Sequence, residues 1–384
     1  MTIIYVIESL VPKGGTERII SEKVNYLAEQ FKYNVYIITC TQRQDQPNAF
    51  LLSSSVHQIK LGIPYYSQYR YKYPKRFFVK LSLNKKLKKA ITEAVQQINP
   101  DILIGVGHYK ADVICTINCH AKKIIECHET RQFTLLETGN KRSLFSHINT
   151  YLFRNQYFRT IENNADVVVT LTEGDRENWK KAHYTEVIPN FSTMPVSDYS
   201  KCKQKRIIAV GRLEWEKGYD RLIDIWEKTS IKQPNWSLDI FGEGTQFSHL
   251  QSNIMNRGIK RVQIHHVTNN ISKEYANSSI CVLTSYHEGF ALVLLEALRH
   301  GVPCVAFDCP YGPACIIEDS QCGFLIKDKN DTKFIEKLNL LIENENLRKE
   351  FSQKAIERSK DFDTNIIMGK WKELFEGLCS KNRT

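Results

Sequence analysis

The sequence predicts two doubly wound α/β domains in tandem. Apolar β-branched runs alternate with helical periodicities along the 384-residue chain, a pattern that indicates parallel sheets covered on both faces. The length exceeds what one ordinary core holds, so two domains are expected. A polar stretch over 192–205 separates the first alternation from a second that starts afresh at Arg206.

The first domain is expected over 1–191. A strand at 3–8 leads through the turn Gly14-Gly15-Thr16 into a helix over about 16–30, with Ile19, Ile20, Val24 and Leu27 in apolar phase. Further strands are read at 35–39, 57–61, 102–106, 123–126 and 167–171, with Pro100-Asp101 and Asn164-Ala165-Asp166 as stops before two of them. Ile188-Pro189-Asn190-Phe191 closes this half, and 192–205 is the linker. The second domain, 206–362, has strands at 206–210, 237–241, 262–265, 280–284 and 304–307. Its helices are read at about 217–231, 244–257, 271–277, 290–300, 312–318, 331–342 and 346–360. The segment 363–384 holds a last amphipathic helix, expected to cross back to the first domain. Ligand sites in such sheets lie at the carboxyl ends of the strands, so a cleft between the domains is the expected place.

Composition narrows the function. Hydrophobic residues make up 42% and aromatics 11%, which excludes a disordered chain. No apolar run approaches eighteen residues, and the start Met1-Thr2-Ile3-Ile4 lacks the basic end of a signal peptide, so a cytoplasmic protein is expected. Eleven cysteines fall without pairing rhythm, as reduced core cysteines do. Cys115, Cys119, His120, Cys127 and His128 cluster, but no Cys-x-x-Cys pair is present, and no metal is expected. The net charge of +11 is uneven: residues 1–195 hold 26 Lys and Arg against 17 Asp and Glu, and the remainder 27 against 25. The excess is densest from Arg70 to Lys89, where aromatics interleave with cations and no acid occurs. That composition suits an anionic membrane surface, a nucleic acid, or a plain solvated loop and helix. No nucleic-acid-reading module accompanies it, so no nucleic-acid partner is expected.

The run Ser285-Tyr286-His287-Glu288-Gly289-Phe290 through Leu295-Glu296-Ala297 is the most informative in the chain. Eight residues separate Glu288 and Glu296, so on one helix both carboxylates would lie near one face. A carboxylate at the head of that helix would stand where backbone amides favour phosphate. A strand, a turn and a core helix with two solvated glutamates also fits. Val210-Gly211-Arg212-Leu213 with Lys217-Gly218 is the second informative run. Arg212 and Lys217 flank a loop at a strand end, where two cations can neutralise a diphosphate leaving group without metal. Surface pairing with Glu214, Glu216 or Asp220 is the alternative. Gly14-Gly15 is a weaker phosphate turn, with neither a Walker loop nor Gly-x-Gly-x-x-Gly. His265-His266-Val267 ends a strand, where its backbone can read a nucleobase edge with Val267 as an apolar wall, or serve structure alone.

These runs, with Gly14-Gly15-Thr16-Glu17-Arg18, Gly301-Val302-Pro303 and Asp308-Cys309-Pro310-Tyr311-Gly312-Pro313, occur in family order across nearly the whole chain. The chain resembles the family-4 retaining glycosyltransferases of GT-B architecture (glycosyl transferases group 1). The resemblance implies two Rossmann-like domains facing a central cleft. It implies that Arg212, Lys217 and Gly15 serve the donor diphosphate, and that Glu288 faces the anomeric centre and the donor-sugar hydroxyls. Glu296 would hold the ribose, amides of Phe290, Ala291 and Leu292 would support sugar and phosphate, and His266 and Val267 would meet the base. His128 would be an acceptor-side catalytic residue. The implied reaction moves a hexosyl or N-acetylhexosaminyl group from a nucleotide-sugar, UDP being commonest in the family, to a glycan or lipid-diphosphate-linked hydroxyl, with retention and without metal or cofactor. The implied setting is cell-surface polysaccharide or lipopolysaccharide assembly. In that setting the basic, aromatic composition of residues 70–89 is expected to dock the first domain peripherally on the anionic inner face of the cytoplasmic membrane. Ala291 departs from the glycine common there, and Ala314-Cys315 departs from a polar residue. A non-catalytic nucleotide-sugar or glycan-binding protein and a nucleotide-sugar epimerase are the other readings.

Overall fold

A computed structural model describes residues 1–107, 109–132 and 155–380. The chain divides into two compact units: Met1–Ile188 with Met368–Thr384, and Pro189–Ile367.

The first unit holds a parallel sheet of seven strands: β1 Thr2–Ile7, β2 Asn34–Thr39, β3 Val56–Lys60, β4 Ile102–Val106, β5 Lys122–Glu126, β6 Val167–Thr170 and β7 Thr185–Val187. Their order is β3-β2-β1-β4-β5-β6-β7. Ile3 pairs with Val35 on one side and Ile102 on the other. β4 and β6 are buried throughout, because helices cover both faces of the sheet. The strand β7 went unread in the sequence, since three half-buried residues carry no periodicity.

The second unit holds six parallel strands: β8 Arg206–Val210, β9 Ser237–Phe241, β10 Val262–His265, β11 Ile280–Leu283, β12 Cys304–Asp308 and β13 Gly323–Lys327. Their order is β10-β9-β8-β11-β12-β13. β13 was missed because a glycine opens it and a lysine closes it. Strand order reverses between β1 and β4 in one sheet and between β8 and β11 in the other. Those two switch points are where a ligand crevice opens beyond the strand ends. The core of the second unit gathers Ile207, Leu222, Trp226, Leu238, Ile280, Val305, Phe307 and Phe334.

The last helix, Thr364–Ser380, begins in the second unit and continues into the first. There Trp371 is buried with its ring 4.0 Å from the Lys23 ammonium. Lys23 stands in the apolar phase of the helix Gly15–Glu29 and is 2% exposed. It donates to Glu126, the fully buried last residue of β5, which also bonds His128 Nε2 at 2.8 Å. Burial alone would raise the Glu126 carboxyl, but Lys23 and His128 outweigh it and hold it at about 2. Burial lowers the Lys23 ammonium from its usual range, with Glu126 opposing.

Removing one member of a buried ion pair strands the other's charge. Lys23→Met is therefore expected to cost about 3–5 kcal/mol in urea unfolding. Adding Glu126→Gln should restore at least half of that loss; a double variant as unstable as the sum of both singles contradicts the coupling.

Candidate donor site

The chain leaving β8 runs through Gly211 and Arg212 into a short 3₁₀ turn, Trp215–Lys217, and then the helix Tyr219–Lys232. Gly218 joins turn to helix with φ +64°, and a Cβ there would collide with the Thr284 carbonyl oxygen. Glycine is thus required twice, for the backbone angle and for the close approach. Thr284 follows β11, the sheet neighbour of β8, and its hydroxyl donates to the Gly218 carbonyl at 3.0 Å. The Tyr286 amide donates to the Glu216 carbonyl at 2.8 Å. The two loops at the switch point are therefore fixed backbone to backbone.

That fixation brings Lys217 onto Glu288. The ammonium donates to Glu288 Oε1 at 2.7 Å, and Ser285 Oγ donates to the same oxygen at 2.6 Å. The Glu288 side chain is 7% exposed and that of Lys217 19%. A third loop holds Glu288 in place: its amide donates to Pro310 at 3.2 Å, and its carbonyl accepts from Tyr311 at 2.9 Å. Gly312 permits that approach, since a Cβ there would sit 2.7 Å from the Phe290 carbonyl carbon.

Arg212 lies on the same loop as Lys217 but turns outward. Its side chain is 66% exposed and pairs with Glu216 at 3.0 Å. Burial lowers His287 to about 4, with Glu288 opposing and Lys217 assisting. Asp308, at the end of β12, is raised by burial. Beside them Trp215 and Tyr286 stack at 6.3 Å, both rings exposed.

One expectation needs correction. Glu288 and Glu296 do not share a helix. The helix starts at Leu292, because Ala291 holds a left-handed φ of +66° that ends helical continuity just before it. That angle is a physical reason for glycine to suit position 291. Glu288 therefore stands in a loop, and the eight-residue phase argument does not apply to it. Glu296 is buried one turn into the helix, where it accepts from the Tyr275 hydroxyl at 3.1 Å. Burial, with Glu296 adding, pushes the Tyr275 phenol well above its usual range, so it remains a donor. Tyr275 was not picked out from the sequence.

The remaining expected residues are dispersed. The Phe290 ring is buried against Phe362 at 5.7 Å, and the Ala291 and Leu292 backbone forms the head of the helix. His266 and Val267 are exposed beyond β10, two strands along from β8, with His266 stacked on Phe247 at 4.6 Å. Gly15 begins the first helix of the first unit. The His128 side chain, 3% exposed, is tied to Glu126. No group of side chains suited to a metal ion occurs among the described residues.

Comparison with known proteins adds the family. Residues 196–358 match the family model described as Glycosyl transferases group 1. This segment is a group 1 glycosyltransferase domain. An uncharacterized glycosyltransferase of Haemophilus influenzae is 29% identical over 380 residues, spanning 96% of this chain and 98% of that one. The amylovoran biosynthesis glycosyltransferase AmsD of Erwinia amylovora is 34% identical over 221 residues, 55% of this chain and 62% of the relative. Among solved structures, an S. aureus TarM mutant in complex with fondaparinux, alpha-GlcNAc-glycerol and UDP has a TM-score of 0.77 at 18% identity, covering 97% and 99% of the two chains. The last likeness shows the fold, that of the two-domain α/β GT-B glycosyltransferases.

The depressed His287 has a consequence for folding. Unfolded, its pKa is about 6.5. Between there and about 4 the unfolded chain binds the extra proton, so its contribution to stability is present above pH 6.5 and is lost as pH falls. Urea unfolding at pH 7.5 and 5.5 should show wild type losing more stability than His287→Gln. Equal losses contradict the assignment.

Proposed function

We propose that this chain is a retaining glycosyltransferase that moves a hexosyl or N-acetylhexosaminyl group from a UDP-sugar to a glycan or lipid-linked hydroxyl. The observation that carries this reading is the Lys217–Glu288 contact at the β8/β11 switch point of a group 1 glycosyltransferase domain. A cation and a carboxylate side by side at a strand end are suited to two parts of one ligand. Lys217 faces the diphosphate and, with Arg212 swinging in from solvent, stabilises the charge that grows as the nucleotide leaves. Glu288 faces the sugar hydroxyls beside the anomeric carbon. Glu296 with Tyr275 holds the ribose, and His266 and Val267 meet the base.

Gly15 and the acceptor-side His128 belong to the first unit. With its ring buried against Glu126, His128 reaches an acceptor only through a small local opening. No metal enters this reaction, because the two cations supply the neutralising charge. UDP as carrier is supported by its presence in the TarM complex. A polysaccharide or lipopolysaccharide setting is supported by the amylovoran biosynthesis relative and by a likeness to the lipopolysaccharide 1,6-galactosyltransferase of Escherichia coli. No described helix is long and apolar enough to cross a membrane, and the basic stretch over residues 70–89 supports peripheral contact with an anionic one.

Lys217→Met should lower kcat/KM for the productive UDP-sugar by about 10²–10³. Glu288→Gln should lower kcat with little change in UDP affinity, and added EDTA should change neither. Release of UDP from a panel of UDP-sugars, with product anomers read by NMR, provides the measurement. Wild-type rates in Lys217→Met, or an inverted product, contradict the proposal.

A further inference from the structure

Two exposed aromatic rings stand on the loops that carry Lys217 and Glu288. Trp215 opens the turn Trp215–Lys217, and Tyr286 lies two residues before Glu288. Their rings are nearly parallel, 25° apart, with centroids at 6.3 Å. Trp215 is 55% exposed and Tyr286 41%. The other four tryptophans, Trp179, Trp226, Trp236 and Trp371, are at most 5% exposed. An indole stabilises a fold by leaving water. Trp215 has not left it, so stability does not account for a tryptophan at this position.

Neither ring sits on a loose loop. The Glu214 carboxylate, next to Trp215, accepts from the Thr245 amide at 2.9 Å and from the Thr245 hydroxyl at 2.6 Å. The Lys217 amide closes the turn onto the Glu214 carbonyl at 3.0 Å. The Tyr286 ring rests over Gly218, where a Cβ would lie 3.6 Å from it. The Arg221 guanidinium is 5.9 Å from the centre of that ring and is itself held by Asp328 and Asp331, each at 2.7 Å. The backbone under both rings is therefore set before a ligand arrives, and stacking on them costs little ordering entropy. Among the described residues, no protein group accepts from the Trp215 N–H or the Tyr286 hydroxyl. Both polar tips are open to ligand hydroxyls. A pyranose has the complementary surface: apolar C–H groups on a ring face and hydroxyls around its edge.

We infer that Trp215 and Tyr286 form a stacking platform for a pyranose ring of the sugar acceptor, and that they help select which acceptor is used. The assignment to the acceptor rests on the transferase reading above; the binding of a pyranose does not. In that reading Lys217 meets the diphosphate, and the ribose at Glu296 separates the diphosphate from the base. Rings adjoining Lys217 and Glu288 therefore fall on the sugar side of the donor, away from the base. The Glu288 side chain, 7% exposed, serves the donor sugar in the interior of the site. The two rings occupy its exposed rim, which suits the second sugar, the one that arrives from solvent to attack.

The test uses the full chain and the methyl α- and β-pyranosides of glucose, galactose and N-acetylglucosamine, with glycerol and uridine as controls. Acrylamide quenching of tryptophan emission reports on Trp215, because the other indoles are buried. At least one pyranoside should bind saturably and shield the indole, with and without saturating UDP, while glycerol and uridine do neither. Ligand-observed NMR titration then reads the variants. Trp215→Ala and Tyr286→Ala should each weaken pyranoside binding by about fivefold or more, and Trp215→Phe and Tyr286→Phe should retain it within about threefold. An unchanged melting temperature confirms folding, and UDP affinity should stay within about twofold in all four variants. Absence of shielding by every pyranoside overturns the platform, as does undiminished binding in both alanine variants. Shielding by uridine overturns the sugar assignment in favour of the base. Shielding by UDP-glucose or UDP-N-acetylglucosamine where UDP gives none assigns the rings to the donor and overturns the acceptor half. Failure of wild-type protein to bind UDP speaks against the transferase reading alone, because the pyranoside titration without UDP is read independently of it.

Discussion

The second unit's chemistry depends on one close backbone contact. Gly218 lies against the Thr284 carbonyl so tightly that no side chain fits between them. This contact ties the loop after β8 to the loop after β11, and so sets Lys217 beside Glu288. Two charged groups in separate loops would ordinarily lose much of their interaction to loop motion and solvent. Here three backbone hydrogen bonds, from Tyr286 to Glu216, Glu288 to Pro310 and Tyr311 to Glu288, fix their positions before any ligand arrives. Electrostatic stabilisation of a leaving group works best when the charges need no rearrangement.

The first unit has a comparable centre of different character. Lys23 and Glu126 form a buried ion pair, with His128 bonded to the same carboxylate and Trp371 of the last helix closing over the ammonium. A buried pair of this kind is weak evidence for stability in itself but strongly penalises any arrangement that separates its members. It thereby fixes the position of the final helix on this unit, and it holds the His128 ring in a defined orientation.

Much of this was legible in the sequence, for identifiable reasons. Strands such as Ile102–Val106 and Ile280–Leu283 are continuous apolar runs, as strands covered on both faces must be. Lys217 and Glu288 stood out because each follows a strand and adjoins a glycine. The helical spacing of the two glutamates misled, because nothing in a string of letters shows that Ala291 adopts a left-handed angle. Tyr275 was invisible as a partner of Glu296, since 21 residues separate them. Lys23 did leave a trace: it occupies the apolar phase with Ile19 and Leu27, a position where a lysine needs a buried counter-ion. The pairing of Trp215 with Tyr286 was not legible, because it depends on the backbone contact between their two loops.

The most direct measurement is a crystal structure of the chain soaked with UDP. The account predicts the diphosphate within hydrogen-bonding distance of Lys217 Nζ, with Arg212 turned in from Glu216 to meet it and the ribose hydroxyls on Glu296. UDP bound elsewhere, with the Lys217–Glu288 pair and the Arg212–Glu216 pair both undisturbed, would contradict it.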